Sequence, residues 1–263
     1  MAENKLVNYR VDRGIAYLEL CDPPANTYTY EMMRDLDDAV LQARMDAAVQ
    51  VLVLRGAGDK FFCAGANIRM LADVTPEFKY YFCLHANETL CRLEQTPKLT
   101  IAALNGHTVG GGLEIAMACD IRLARRGAGK IGLPEVQLGV LPGTGGTQRL
   151  ARLVGKSRAM ELMVTGRTFE FEEAVTLGVV NHVFDSDNFD TKVNEYARQF
   201  LTPNKAARAV GRIKRAVQSG AEVPFSEALA IERELQQGLF TSEDAKEGLT
   251  AYLSKRTPQF KGR

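Results

Sequence analysis

Apolar residues follow two different periods along the chain. Val7, Tyr9 and Val11 recur at every second position, and residues 15–20 read as a second strand after the turn Asp12-Arg13-Gly14. Together they predict an N-terminal β-hairpin. Pro23-Pro24-Ala25-Asn26 then breaks the strand, and Thr29 stands where it can cap a helix over 30–45. In that helix Met33, Leu36, Val40 and Leu41 keep the three-to-four spacing of a core face. Residues 51–54 form a short apolar, β-branched run of the kind that fills a buried strand. A helix is expected over 75–96, with Phe78, Phe82, Leu84 and Leu93 apolar, and Thr96-Pro97 ends it because the residue before proline is pushed out of the helical region. Residues 99–104 and 121–124 read as strands. The stretch 141–150 reads as a loop that opens a helix running to about Val154; residues 159–164 and 171–177 read as helices, the last stopped at Gly178, and residues 179–184 as an edge strand.

From about residue 187 the strand signal disappears. Helices are expected over 188–201 and 205–218, and a third carries the stripe Phe225, Ala228, Ile231, Leu235 and Leu239. Thr241 with Asp244 resembles a capping box for a last helix over 243–254. The chain therefore divides into a strand–helix part, 1–186, and an all-helical part, 187–263. Strands alternating with helices define an α/β core.

Composition narrows the function classes. The chain has 263 residues, 46% hydrophobic and 25% charged, enough for one large globular domain. A net charge of +1 gives no global attraction to nucleic acid or an anionic membrane. Lys205, Arg208, Arg212 and Arg215 lie at helical spacing and read as a solvated face. Cys21, Cys63, Cys83, Cys91 and Cys119 are scattered, without metal-ligand spacing, and each is expected to be a small buried hydrophobe in a reducing compartment. No run approaches the ~18 apolar residues of a membrane span. No metal and no membrane association are expected, and a cytoplasmic location is.

The candidate chemistry centres on Asn105-Gly106-His107-Thr108-Val109-Gly110-Gly111-Gly112-Leu113-Glu114. It follows the strand at 99–104 and leads into an apolar segment, so it reads as strand, glycine turn, helix. Consecutive glycines let the backbone approach a ligand and leave N–H groups free at a helix start. An acid beside such donors suits a reaction that builds an oxyanion and moves a proton. A second glycine-assisted helix start lies at Ala64-Gly65-Ala66-Asn67-Ile68, offering N–H groups at Gly65, Ala66 and Asn67. A second acid, Glu135, follows Pro134, whose ring restricts the backbone and helps aim it. A paired acid and base can add water across a carbon–carbon double bond, although spacing alone does not bring these two acids together. His107 is expected to wall the pocket or bond backbone.

Several stretches, taken in order, resemble the crotonase superfamily and, within it, the enoyl-CoA hydratases. They are 62–68, 105–114, Ala118-Cys119-Asp120, Pro134-Glu135 with Leu138-Gly139, and Pro142-Gly143 with Gly145-Gly146-Thr147-Gln148-Arg149-Leu150. The last is Glu247-Gly248 through Tyr252, Lys255-Arg256, Pro258 and Phe260. The resemblance implies an α/β crotonase-like spiral of ββα units with a C-terminal helical trimerisation region, assembled as a homotrimer or homohexamer. It implies an acyl-CoA substrate, with coenzyme A as part of it and no separate cofactor. The thioester carbonyl would accept from the N–H groups of Ala66 and Gly111, each donor worth about 3–4 kcal/mol of barrier. Glu114 would act mainly as base on the attacking water and Glu135 would deliver the α-proton. Ala64, Gly65, Ala66, Asn67, Ile68, Gly110, Gly111, Pro134 and Gly143 would contact substrate and CoA. Lys255, Phe260 and Lys261 would lie near the nucleotide, from a neighbouring subunit. The family also contains isomerases, decarboxylases and hydrolases of acyl-CoA, but many of its isomerases keep only one of the two acids. A role in RNA binding is not expected. Three departures stand out: Asn67 where Asp is common, a glycine-rich stretch 125–130 between the acids, and Asn26-Thr27-Tyr28 in place of the usual Asn-Ala-Leu. Tyr28 is expected to shorten or polarise the acyl pocket.

Overall fold

The computed structural model describes residues 5–263. A six-stranded sheet forms the larger layer. Its strands are β1 (Val7–Asp12), β2 (Ile15–Leu20), β3 (Val51–Gly56), β5 (Leu99–Leu104), β7 (Ile121–Arg125) and β10 (His182–Phe184), in that spatial order. β1 and β2 make the antiparallel hairpin, and every later neighbour is parallel. A second sheet holds β4 (Phe61–Cys63), β6 (His107–Val109), β8 (Lys130–Gly132) and β9 (Phe169–Glu170). In it β4, β6 and β8 run parallel and β9 antiparallel.

Both faces of the large sheet are covered, which is why its central strands read as continuous apolar runs. Side chains alternate between the faces. Leu52, Leu54, Ala102 and Leu104 join the main core with α1 (Tyr30–Met45), α3 (Pro76–Glu94) and α4 (Gly111–Met117). Val51, Val53, Ile101 and Ala103 point the other way, onto Phe189, Val193 and Ala197 of α8 (Phe189–Arg198). The remaining helices are α2 (Ile68–Asp73), α5 (Gly146–Val154), α6 (Lys156–Thr165), α7 (Phe171–Thr176), α9 (Ala207–Gly220), α10 (Phe225–Phe240) and α11 (Glu243–Leu253).

Most expected elements appear within a few residues of their predicted bounds. Thr29 caps α1 by accepting from the Met32 N–H, and Thr75 caps α3. Three expectations change. The glycine stretch is not one turn: β6 intervenes between Gly106 and Gly110, in the second sheet. The last helix is capped by Ser242, not Thr241, because Asp244 is taken by the N–H groups of Lys261 and Gly262. Cys63 and Cys119 are buried as expected, but Cys91 is exposed.

Lys214 of α9 is buried, unlike its basic neighbours on that helix. Its ammonium lies 2.9 Å from Asp120, which also accepts from the Thr100 N–H and hydroxyl and from Gln218. This pair ties α9 to the end of the large sheet. No described helix is long and apolar enough to cross a membrane.

Candidate active site

Three adjacent parallel strands of the small sheet deliver the site from their carboxyl ends. β4 leads to Ala64–Ala66, β6 to Gly110 and Gly111, and β8 to Pro134 and Glu135. Ligands commonly bind at that edge of parallel sheets. A cavity of ≈ 290 Å³ lies there. Its wall includes Ala64, Gly65, Ala66, Ile68, Gly110, Gly111, Glu114, Pro134, Glu135 and Gly143, all expected from the sequence. This is near the lower end of small-molecule pockets, about 300–1,000 Å³.

The two amide donors are prepared by different local geometry. Tyr28 and Ala66 form an isolated parallel bridge. In it the Tyr28 N–H donates to Gly65 O at 3.0 Å and Tyr28 O accepts from the Asn67 N–H at 3.1 Å. The middle residue of such a bridge turns its own N–H away. Gly111 is the first residue of α4, where no intrahelical acceptor exists. Among the described residues neither N–H has an acceptor. The segments pass so closely that a Cβ on Gly65 would stand 3.1 Å from the Gly111 nitrogen. Gly110 has φ +56°, a conformation that favours glycine, and a Cβ there would come 3.1 Å from Glu135 Oε1. Asn67 differs from expectation. Its N–H is spent on Tyr28 and its side chain caps α2 by accepting from the Met70 N–H, so it does not line the cavity. Gly65 likewise turns its N–H to the Cys63 sulfur.

The two acids meet different surroundings. Glu114 is 1% exposed. Its Oε1 accepts from the N–H groups of Thr144 at 2.8 Å and Gly146 at 2.7 Å, and its Oε2 from the Thr144 hydroxyl. Two backbone donors occupy Oε1, so the lone pair left open is on Oε2. The loop that supplies these donors is pinned by Arg149, which donates to Thr144 O and pairs through two nitrogens with Glu94 of α3. Glu135 begins a 3₁₀ turn ending at Leu138. Its buried Oε2 has no partner among the described residues. Burial pushes its carboxyl up to about 7, helped by the Glu114 charge and opposed by its own backbone N–H and by Lys79. Lys79 also lines the cavity.

Other expected site residues lie elsewhere in the chain. Phe260 lines a separate groove against α9–α11, with its N–H on Pro203 O; Lys261 sits on Asp244 and Glu243; Lys255 follows α11. None of the three lines the Glu114 cavity of its own chain. His107 accepts from the Lys130 N–H through Nδ1, a backbone-bonding role. The sequence did not single out Thr144, Lys79 or the apolar wall of Leu71, Leu138, Val140 and Leu141. Thr144 lies between Gly143 and Gly145, in the gap of a family motif, and its contact with Glu114 spans 30 residues and exists only in the fold.

Comparison with known proteins fits this arrangement to a class, the crotonase superfamily of acyl-CoA enzymes. Within it, the chain belongs to the enoyl-CoA hydratase/isomerase family, whose model matches residues 10–263. It is 36% identical over 258 residues to a probable enoyl-CoA hydratase of Bacillus subtilis, covering 97% of this chain and 98% of that one. A crotonyl-CoA hydratase of Syntrophomonas wolfei is 37% identical over 250 residues, covering 95% of each. A crystal structure of an enoyl-CoA hydratase from Geobacillus kaustophilus superposes with a TM-score of 0.96 at 46% identity, covering 100% of this chain and 98% of that one.

Proposed function

We infer that the Glu114 cavity hydrates a trans-2-enoyl-CoA to the 3-hydroxyacyl-CoA. The protein is an enoyl-CoA hydratase; the roles of individual residues are the proposal. The observation that carries it is the convergence of two free amide donors and two carboxyl groups on one cavity. The thioester oxygen accepts from the Ala66 and Gly111 N–H groups. Water attacks the β-carbon and gives a proton to Glu114 Oε2, while the double-bond electrons move toward the carbonyl as an enolate. The amide donors strengthen as that charge develops. Glu135, protonated at the start, gives its proton to the α-carbon. One water is consumed, Glu114 ends protonated and Glu135 ionised, and a proton exchange resets the pair. Nothing in this sequence needs a further cofactor.

The cavity accommodates the acyl and thioester part, with Ala64 and Ile68 on the CoA side. Lys255, Phe260 and Lys261 would reach a nucleotide only from a second subunit. A homotrimer or homohexamer built through residues 187–263 is therefore part of the proposal, as is a cytoplasmic location. Exposed Ile213 and Val217 of α9 and Leu153 of α5, around an apolar groove, support such an interface.

Glu114→Gln and Glu135→Gln each test the assignment. Each is expected to lower kcat for crotonyl-CoA hydration by about 10²–10⁴-fold. The gain of one water by mass spectrometry is the readout. Full activity in either variant would refute the role given to that residue.

A further inference from the structure

Tyr28 touches each part of the site by a different group. Its backbone N–H and C=O clamp Gly65 and Asn67 on either side of Ala66, which leaves the Ala66 N–H facing the cavity. Its ring lies against Gly111 so closely that a Cβ at 111 would overlap it. Its hydroxyl is 3.3 Å from Thr144 Oγ1, and that hydroxyl meets Glu114 Oε2.

The direction of these bonds follows from donor count. A carboxylate only accepts, so Thr144 spends its one proton on Glu114. Thr144 Oγ1 is then the acceptor and Tyr28 the donor. Burial and the nearby Glu114 charge hold the phenol well above its ordinary range, so it stays protonated. The ring itself is fixed from behind by Phe82, 5.6 Å away between centroids, which stacks on Phe78. Tyr28 and Thr144 are 3% and 1% exposed.

We propose that Tyr28 is a positioning residue of the hydration reaction: its hydroxyl orients Thr144, and through Thr144 it holds Glu114 Oε2 toward the attacking water. This rests on the hydratase reading above. Backbone donors alone fix Oε1. The Tyr28–Thr144 chain fixes the rotation that remains, and with it the lone pair that takes the proton. The ring at the same time holds Gly111 at its distance from Ala66, so base and oxyanion donors share one reference point.

The test uses the full-length enzyme with crotonyl-CoA and four variants: Tyr28→Phe, Thr144→Val, the double variant and Thr144→Ser. Tyr28→Phe keeps the ring and removes only the donor. It is expected to lower kcat about tenfold to a hundredfold, the scale of a small misplacement of a reacting group. KM should stay within about twofold and the melting temperature should be retained. The double variant should be no worse than Thr144→Val, since both hydroxyls act in one chain. Thr144→Ser should recover most of the kcat lost in Thr144→Val. A folded Tyr28→Phe enzyme with wild-type kcat overturns the proposal, as does a kcat loss that adds in full to that of Thr144→Val. Wild-type protein that adds no water to any 2-enoyl-CoA overturns the hydratase reading and this proposal with it. Wild-type hydration with an unchanged Tyr28→Phe overturns this proposal alone.

Discussion

Glu114 and Glu135 share a cavity but not an environment. Three donors meet Glu114, whereas Glu135 keeps a buried oxygen with no partner among the described residues and a carboxyl pushed up to about 7. Environments that differ in this way separate acid from base. The sign of the pH effect follows. In the proposed mechanism hydration needs Glu135 protonated, so kcat/KM should fall as pH rises through about 7. Lys79 draws Glu135 downward, so in Lys79→Met that limb should move to higher pH. A pH–rate series on both proteins checks this, and a limb that moves down or stays fixed contradicts it. Glu114, Glu135, Ala66 and Gly111 stand out in the sequence because each sits in a motif whose order and spacing are specific, and the fold brings all four to one cavity. Asn67 shows the limit of that kind of reading: its motif position pointed to the ligand, but the parallel bridge to Tyr28 consumes its N–H. Thr144 and Lys79 were not legible as site residues, since a single sequence says nothing about which distant side chain each one faces.

At the level of elements, long periodic segments were readable and short ones were not. α1 and α3 carried a cap, a face and a stop signal. β4, β6 and β8 have three residues each, too few to show a period, and so the second sheet was invisible. Those three strands are the ones that aim the chemistry. Lys205, Arg208, Arg212 and Arg215 read as a solvated face and none of them is buried, but Lys214, beside that stripe and not part of it, is buried against Asp120. Removing one partner of a buried ion pair costs about 3–5 kcal/mol. Asp120 keeps donors from Thr100 and Gln218, so Lys214→Met should lie near the low end, about 3 kcal/mol by urea unfolding. A loss within about 0.5 kcal/mol of zero, the usual range for surface positions, would mean that this pair does not fasten α9.

For the whole molecule, the large sheet is a covered support and the small sheet carries the reactive edge. α8 seals the face of the large sheet opposite the main core, so the helical part of the chain is not simply appended to the α/β part. α9–α11 leave Ile213, Val217, Phe225, Phe240, Tyr252 and Leu253 exposed. If α9 lies in the proposed subunit interface, Ile213→Asp with Val217→Asp should shift the protein from trimer or hexamer toward monomer in sedimentation equilibrium. Unchanged assembly would place the interface elsewhere.

The adjacency of β4, β6 and β8 has one more consequence, for how such an enzyme diverges. Amide donors and acids lie within a few residues of the carboxyl ends of three strands locked by backbone hydrogen bonds, which side-chain changes leave in place. The rim is made of exposed side chains instead: Ile68, Leu138, Val140 and Leu141. Mutation can therefore reshape what enters the cavity while the reacting groups keep their geometry. New substrates become reachable by small steps through active intermediates, without passing through a protein that has lost its chemistry.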